Sequence, residues 1–235
     1  MAAKKITRKE LLKEPDEFIS TSAKVIAYSR QNPKKVVMGV VIVVACLLAV
    51  MSFYAYQRHG KLASHELFDR AFQEYQMMES SSQAPTSEQL DKLLEEFEVI
   101  TRDYASFPAG EMALLYSGHV LYKKGDFSRA LDRYTKMQST SLAKDGLSPL
   151  ILYHIAMTRL ALKDYEQATV LFDQLSKDTN SPYRREAHAA IARIYETLGK
   201  DKEAVQAYKQ YLKMFPEAPD AAFVKSKIAE LSIRG

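Results

Sequence analysis

The sequence predicts an all-α chain in which one N-terminal transmembrane helix is followed by an α-solenoid of helical hairpins. Three observations predict it. Residues 36–56, "VVMGVVIVVACLLAVMSFYAY", run for 21 residues without a charge. The 235 residues include no Trp and only 8 Gly and 8 Pro, so helix breakers are scarce. Beyond residue 125 one helical pattern recurs at spacings of 38 and 36 residues, a period that belongs to stacked helix pairs.

The head, residues 1–35, is basic. It holds nine Lys/Arg against four Asp/Glu, a balance of +5, whereas residues 57–235 hold 24 against 25, a balance of −1. The overall charge of +4 therefore comes from the head, and the nearly neutral larger part lacks the basic surface of a nucleic-acid binder. "KEPDEF" reads as a helix start, with Pro15, Asp16 and Glu17 suited to a first turn. Phe18, Ile19, Val25 and Ile26 then give an amphipathic stripe, and "QNPKK" interrupts it before the apolar run. Such a helix suits anionic lipid or a cytoplasmic partner, or serves only as a stop-transfer flank.

The run at 36–56 rises about 32 Å as a helix, matching a hydrocarbon core of about 30 Å. A cleaved signal would have a shorter apolar core behind a shorter head. "VVAC", ending at Cys46, has lipobox character, but "LLAVMSFYAY" keeps the following ten residues apolar where a lipoprotein would turn polar. Cys46 then reads as a small hydrophobe within a span, and as the single cysteine it excludes an intrachain disulfide. Lys24, Arg30, Lys34 and Lys35 outweigh Arg58, Lys61 and Arg70 around the span once the rest of the head is counted. The N-terminus is expected in the cytoplasm and the larger domain outside, with Tyr54 and Tyr56 at the far interface.

Residues 57–106 are expected to form a membrane-proximal helix pair. Leu62, Phe68, Phe72 and Tyr75 continue a helical stripe out of the span, and "ESSSQAPTSEQ" is a polar loop in which Thr86 or Ser87 can cap the next helix. Leu90, Leu94, Phe97 and Ile100 mark that helix. Over 107–235 three segments align as "KKGDFSRALDRYTKM", "ALKDYEQATVLFDQL" and "TLGKDKEAVQAYKQY". In each a small residue is followed four and seven positions later by large ones: Ala130, Tyr134, Met137; Ala168, Phe172, Leu175; Ala204, Tyr208, Tyr211. Alanine permits close helix approach, and the larger side chains fill the gap to the next hairpin.

These residues resemble the tetratricopeptide repeat. Gly118, Gly125, Phe127, Ala130 and Tyr134 carry its pattern in one unit, Ala156, Tyr165, Ala168 and Phe172 in the next, and Ala192, Tyr195, Gly199, Ala204, Tyr208 and Pro216 in the last. Leu121 and Arg159 stand where a Tyr is usual, Asp201 where an aromatic is usual, and the period exceeds 34. Repeats are expected at about 109–143, 148–180 and 183–216, with a capping helix over 218–233. The arrangement of basic head, single span and divergent repeats resembles the family of ancillary subunits of the bacterial Sec translocon, centred on "FEVITRDYASFPAGEMALLYSGHVLYKKGDFSRALDRY". That resemblance implies an inner-membrane protein whose periplasmic domain meets translocon subunits, emerging client polypeptides or periplasmic chaperones.

Chemistry is sparse. Of the five histidines (His59, His65, His119, His154, His188) no two lie three or four apart, so no helix face offers a metal pair. Gly-rich phosphate loops and nucleophile elbows are absent, and Glu95, Glu96 and Glu98 read as a solvated helix face. The expectation is a non-enzymatic protein without cofactor or metal. Its first repeat helices would present a protein-binding groove of Met112, Leu115, His119 and Tyr122, then Leu150, Tyr153 and Met157, then Glu186, Ala189 and Arg193. A one-residue change of register exchanges groove and core, so Leu115, Leu150 and Tyr153 read equally as core. The Lys and Asn set of a carboxylate clamp is missing. Two other readings share the sequence: an envelope assembly or cell-division coordinator using the same groove, and a lipoprotein anchored at Cys46.

Overall fold

In the computed structural model, residues 17–234 are described, and their side chains from residue 23 onward. Lys4, Lys5, Arg8, Lys9 and Lys13, with the helix-start residues Pro15 and Asp16, lie outside the described residues. So do the side chains of Phe18 and Ile19. All regular structure among the described residues is helical, and the chain divides into two compact units, residues 1–58 and 59–235.

In the first unit, α1 (Glu17–Gln31) is followed after Asn32 by α2 (Pro33–Ser80), a helix of 48 residues. Pro33 takes the first helical position, where its missing N–H costs nothing. Val25 and Ile26 of α1 are exposed. One stretch of α2 is long and apolar enough to cross a membrane, and none of it is buried within the protein. Cys46 is exposed in the middle of that stretch, with unbroken helix on both sides.

In the second unit, the last turns of α2 bury Ser64 and Ala71 and lay Leu67, Phe68, Tyr75 and Met78 on the core. Helix α3 (Ser87–Asp103) begins with Thr86 as its cap. The Gln89 amide donates to Thr86 Oγ1 at 3.2 Å, and Gln89 Oε1 accepts from the Thr86 amide at 2.9 Å. This reciprocal pair satisfies two donors the helix would otherwise orphan. Leu90, Leu94, Phe97 and Ile100 are all buried, as their spacing predicts. Three hairpins follow: α4 (Pro108–Lys123) with α5 (Phe127–Met137), α6 (Ser148–Ala161) with α7 (Tyr165–Lys177), and α8 (Arg184–Thr197) with α9 (Asp201–Met214). Helix α10 (Ala221–Arg234) packs on α9.

The hairpins share one turn. Its middle residue has positive φ in all three, at Gly125 (79°), Lys163 (61°) and Gly199 (68°). The next amide bonds five residues back each time, from Asp126 to Leu121, Asp164 to Arg159 and Lys200 to Tyr195. This is the Schellman closure, and the left-handed residue within it favours glycine. Asp126 and Asp164 then cap the second helix through their side chains, whereas Lys200 holds the same backbone geometry and caps nothing.

Ala130, Ala168 and Ala204 are fully buried at equivalent places, as are Tyr134, Phe172 and Tyr208 one turn on. A methyl on Gly118 would sit 2.7 Å from the Tyr134 ring, so glycine sets the approach of α4 to α5. The aromatic positions Phe127 and Tyr165 are only half-buried, and Pro216 follows the end of α9, where a helix cannot continue. The α5–α6 connection is longer than the others. It contains a wide helical turn, Ala143–Leu147, with Gly146 at φ 115°, and Glu111 ties it down by accepting from the Ser141 hydroxyl at 2.8 Å and the Leu142 amide at 2.9 Å.

Candidate functional site: an aromatic cavity with a histidine pair

Four of the residues expected to form a groove line one cavity of about 580 Å³: His119 and Tyr122 from α4, Tyr153 and Met157 from α6. The size lies within the range of ordinary ligand pockets. Tyr134 and Phe127 of α5 and His154 complete the repeat side, and Tyr75 and Glu79 of α2 close the other wall. Sequence periodicity identified the stripe that Tyr75 belongs to, but nothing local tied that stripe to the repeats.

Leu115 is a correction to the groove reading, because it is fully buried in the first core cluster. Helix α4 is enclosed by α3, α5 and the end of α2, so only its last turns reach the cavity. Met112 and Leu150 are likewise partly buried against that cluster and do not line this cavity. Glu186, Ala189 and Arg193 of α8 instead line a second, smaller cavity of about 320 Å³ with Arg185, Tyr211 and Asp220.

Histidines 119 and 154 meet. Their Nε2 atoms are 3.2 Å apart. The sequence obscured this because their 35-residue separation is three short of the local repeat of 38, which is nearly one helical turn. Tyr134 stacks on His154 with ring centres 5.1 Å apart, and Tyr116 meets His119 edge-on at 5.2 Å. Burial, then the neighbouring His154, then Lys123 hold His119 down to about 3. Burial alone holds His154 down to about 4. Both rings are therefore neutral near pH 7, and one Nε2–H donates to the other ring's lone pair.

The tyrosines keep their protons as well. Burial pushes Tyr134 up, and burial with the Glu79 carboxylate does the same for Tyr75. The charged groups on the wall, Glu79 and Lys123, pair at 2.8 Å. The cavity is thus an aromatic pocket without net charge that can both donate and accept hydrogen bonds. Among the described residues no three His, Cys, Asp or Glu side chains stand close enough to hold a metal ion. No Ser, Thr or Cys side chain accompanies the histidines on this cavity wall.

Stacked helix hairpins enclosing such a pocket define a repeat protein built for protein–protein interaction. The chain belongs to the tetratricopeptide repeat-like domain family, whose model matches residues 27–233. It is 25% identical over 124 residues to the Arabidopsis thaliana cell division cycle protein 27 homolog A, a match spanning 53% of this chain but only 16% of that protein. Among solved structures, a tetratricopeptide repeat protein from Parabacteroides merdae superposes with a TM-score of 0.57 at 18% identity, covering 74% of this chain and 61% of the other. TPR-like repeats from Podosopora anserina superpose at 0.53 with 17% identity, covering 74% and 86%. At these identities the structural likeness establishes the fold alone.

Proposed function

We propose that the chain is a non-enzymatic scaffold, anchored by α2 in the bacterial inner membrane, whose repeats hold protein partners at the Sec export machinery. In this reading the basic head faces the cytoplasm and the repeats face the periplasm, where translocon subunits, emerging polypeptides or periplasmic chaperones reach the cavity. The observation that carries the reading is the aromatic cavity without net charge at Tyr153 and Met157, in a chain that also has a helix apolar enough to anchor it. The continuity of α2 through Cys46 favours a retained span over a lipoprotein anchor. Photo-crosslinking residues placed at Tyr153 and Met157 in native membranes, with the products identified by mass spectrometry, test the proposal. Translocon or chaperone adducts are expected. Adducts confined to division or envelope-assembly proteins would move the same groove to that other role, and a mature chain beginning at Cys46 would restore the lipoprotein reading.

A further inference from the structure

A polar cavity of about 260 Å³ lies across the last two hairpins and shares no residue with the aromatic one. Helices α7 and α9 both pack on α8 and leave a groove between them. Its floor is one face of α8, where His188, Ile191 and Tyr195 recur three and four residues apart. Asp173 of α7 stands on one wall, and Glu203 and Gln206 of α9 stand on the other. No basic side chain among the described residues lines it. Lys177 holds one oxygen of Asp173 at 2.5 Å, in a surface pair that water screens. Glu203 forms none of the ion pairs seen among the described residues. His188 sets this groove apart from an ordinary acidic surface. Its ring is only 8% exposed, and its Nε2 is shielded from solvent without a hydrogen-bond partner. The Ser176 carbonyl engages the ring's other nitrogen, which fixes the proton there and leaves Nε2 an acceptor. Burial, followed by the Arg184 guanidinium, lowers the ring's pKa and keeps that lone pair free. Arg184 itself donates to the Ser176 carbonyl at 3.1 Å and does not line the groove. A buried acceptor without a donor is destabilising, and in native structures it calls for an explanation.

The partner that satisfies this groove brings N–H donors and positive charge. A metal ion does not fit, because among the described residues no three His, Cys, Asp or Glu side chains stand close enough to hold one. The acceptors sit on three separate helices, so the ligand is a cation whose donors point several ways at once. A guanidinium meets that requirement: it is planar, permanently charged, carries five N–H donors and stacks its flat face on aromatic rings. An ammonium gathers its three donors on one small, strongly hydrated atom. We propose that the groove is a binding site for a guanidinium cation, held by the carboxylates of Asp173 and Glu203, with one N–H donated to His188 Nε2 and its face against Tyr195. The Gln206 amide oxygen, on the same wall as Glu203, accepts a further N–H. The group arrives either on a small molecule or as the arginine side chain of another protein, and the same contacts serve both. The site uses no residue of the aromatic cavity, so it stands or falls apart from the scaffold reading.

Isothermal titration calorimetry with the full chain in detergent micelles tests it. The probes are butylguanidinium, butylammonium, and two unstructured peptides that differ only in a single central Arg or Lys. A guanidinium probe should bind saturably at one site, at least about fivefold more tightly than its ammonium counterpart. Butylguanidinium binding without the Arg peptide assigns a small-molecule source; Arg-peptide binding, with or without butylguanidinium, assigns a partner's side chain. Glu203→Gln, a change at an exposed position, should weaken binding at least about fivefold. His188→Phe keeps a ring against Phe215, which His188 meets edge-on at 5.7 Å, and should weaken binding about three- to tenfold. Equal affinity for the guanidinium and ammonium probes overturns the choice of ligand. An affinity unchanged in Glu203→Gln overturns the site, and one unchanged in His188→Phe overturns the role of Nε2. Absence of binding by every probe overturns the whole proposal.

Discussion

The histidine pair makes the stability of the repeats depend on pH in a window where little else titrates. An imidazole in the unfolded chain takes a proton near 6.5. In the folded protein His119 is held down to about 3 and His154 to about 4. Between those values the unfolded state binds more protons than the folded state, so stability is full above about 6.5 and is lost as pH falls. Each proton difference is worth about 1.4 kcal/mol per pH unit, so moving from about pH 7.5 to about pH 5.5 should remove roughly 1.4 kcal/mol per ring and about 3 kcal/mol for the pair. The depressed carboxylates Glu111 and Glu196 add their loss only below their ordinary 4.5, leaving the window above that to histidine. Burial lowers His188 as well, so the diagnostic comparison is with His119→Phe/His154→Phe, which keeps it. Urea unfolding of the full chain in micelles, followed by far-ultraviolet circular dichroism because the chain has no Trp, gives both curves. The parent should lose about 3 kcal/mol and the double variant less than about 1 kcal/mol. Parallel pH dependences would refute the argument that these rings are buried uncharged.

Other consequences follow from the backbone. A methyl on Gly110 would lie 1.9 Å from the Tyr104 carbonyl oxygen, which as main chain cannot swing aside. Gly110→Ala should therefore cost about 1–3 kcal/mol despite gaining up to about 1 kcal/mol of helix propensity, and should lower the melting temperature by several degrees. Lys163 occupies the left-handed turn position where its two counterparts are Gly, so Lys163→Gly should raise stability by about 0.5–1 kcal/mol by denaturant midpoint. Lys200→Asp should supply the missing cap and add about 1 kcal/mol; no gain would mean the turn is not equivalent to those at Asp126 and Asp164. Burial disfavours the Glu111 carboxylate, but hydrogen bonds from Leu142 and Ser141 outweigh it and lower the pKa. Glu111→Ala should cost roughly 1–2 kcal/mol and increase hydrogen exchange across the α5–α6 connection.

Much of the architecture was legible in the residues themselves, because the features involved are local. An uncharged run longer than a bilayer core specifies a helix whatever surrounds it, and Thr86 with Gln89 writes its own cap. Ala130, Ala168 and Ala204 recur because every hairpin makes the same close approach, so packing leaves a periodic trace in sequence. The site left a fainter one. Tyr122, His119, Tyr153 and Met157 share a helical periodicity and line one cavity, but Leu115 shares that periodicity and lies in the core, since the angular position of a side chain on α4 does not reveal which neighbours enclose it. Nothing local joined His119 to His154, or Tyr75 and Glu79 to either. Those contacts arise where a divergent repeat slips by nearly a helical turn and where the end of α2 packs against α4. The helices and their stacking order thus follow from short-range propensity and a repeating packing rule, whereas the neutral histidine pair exists only because folding brings the two rings together and withdraws them from water.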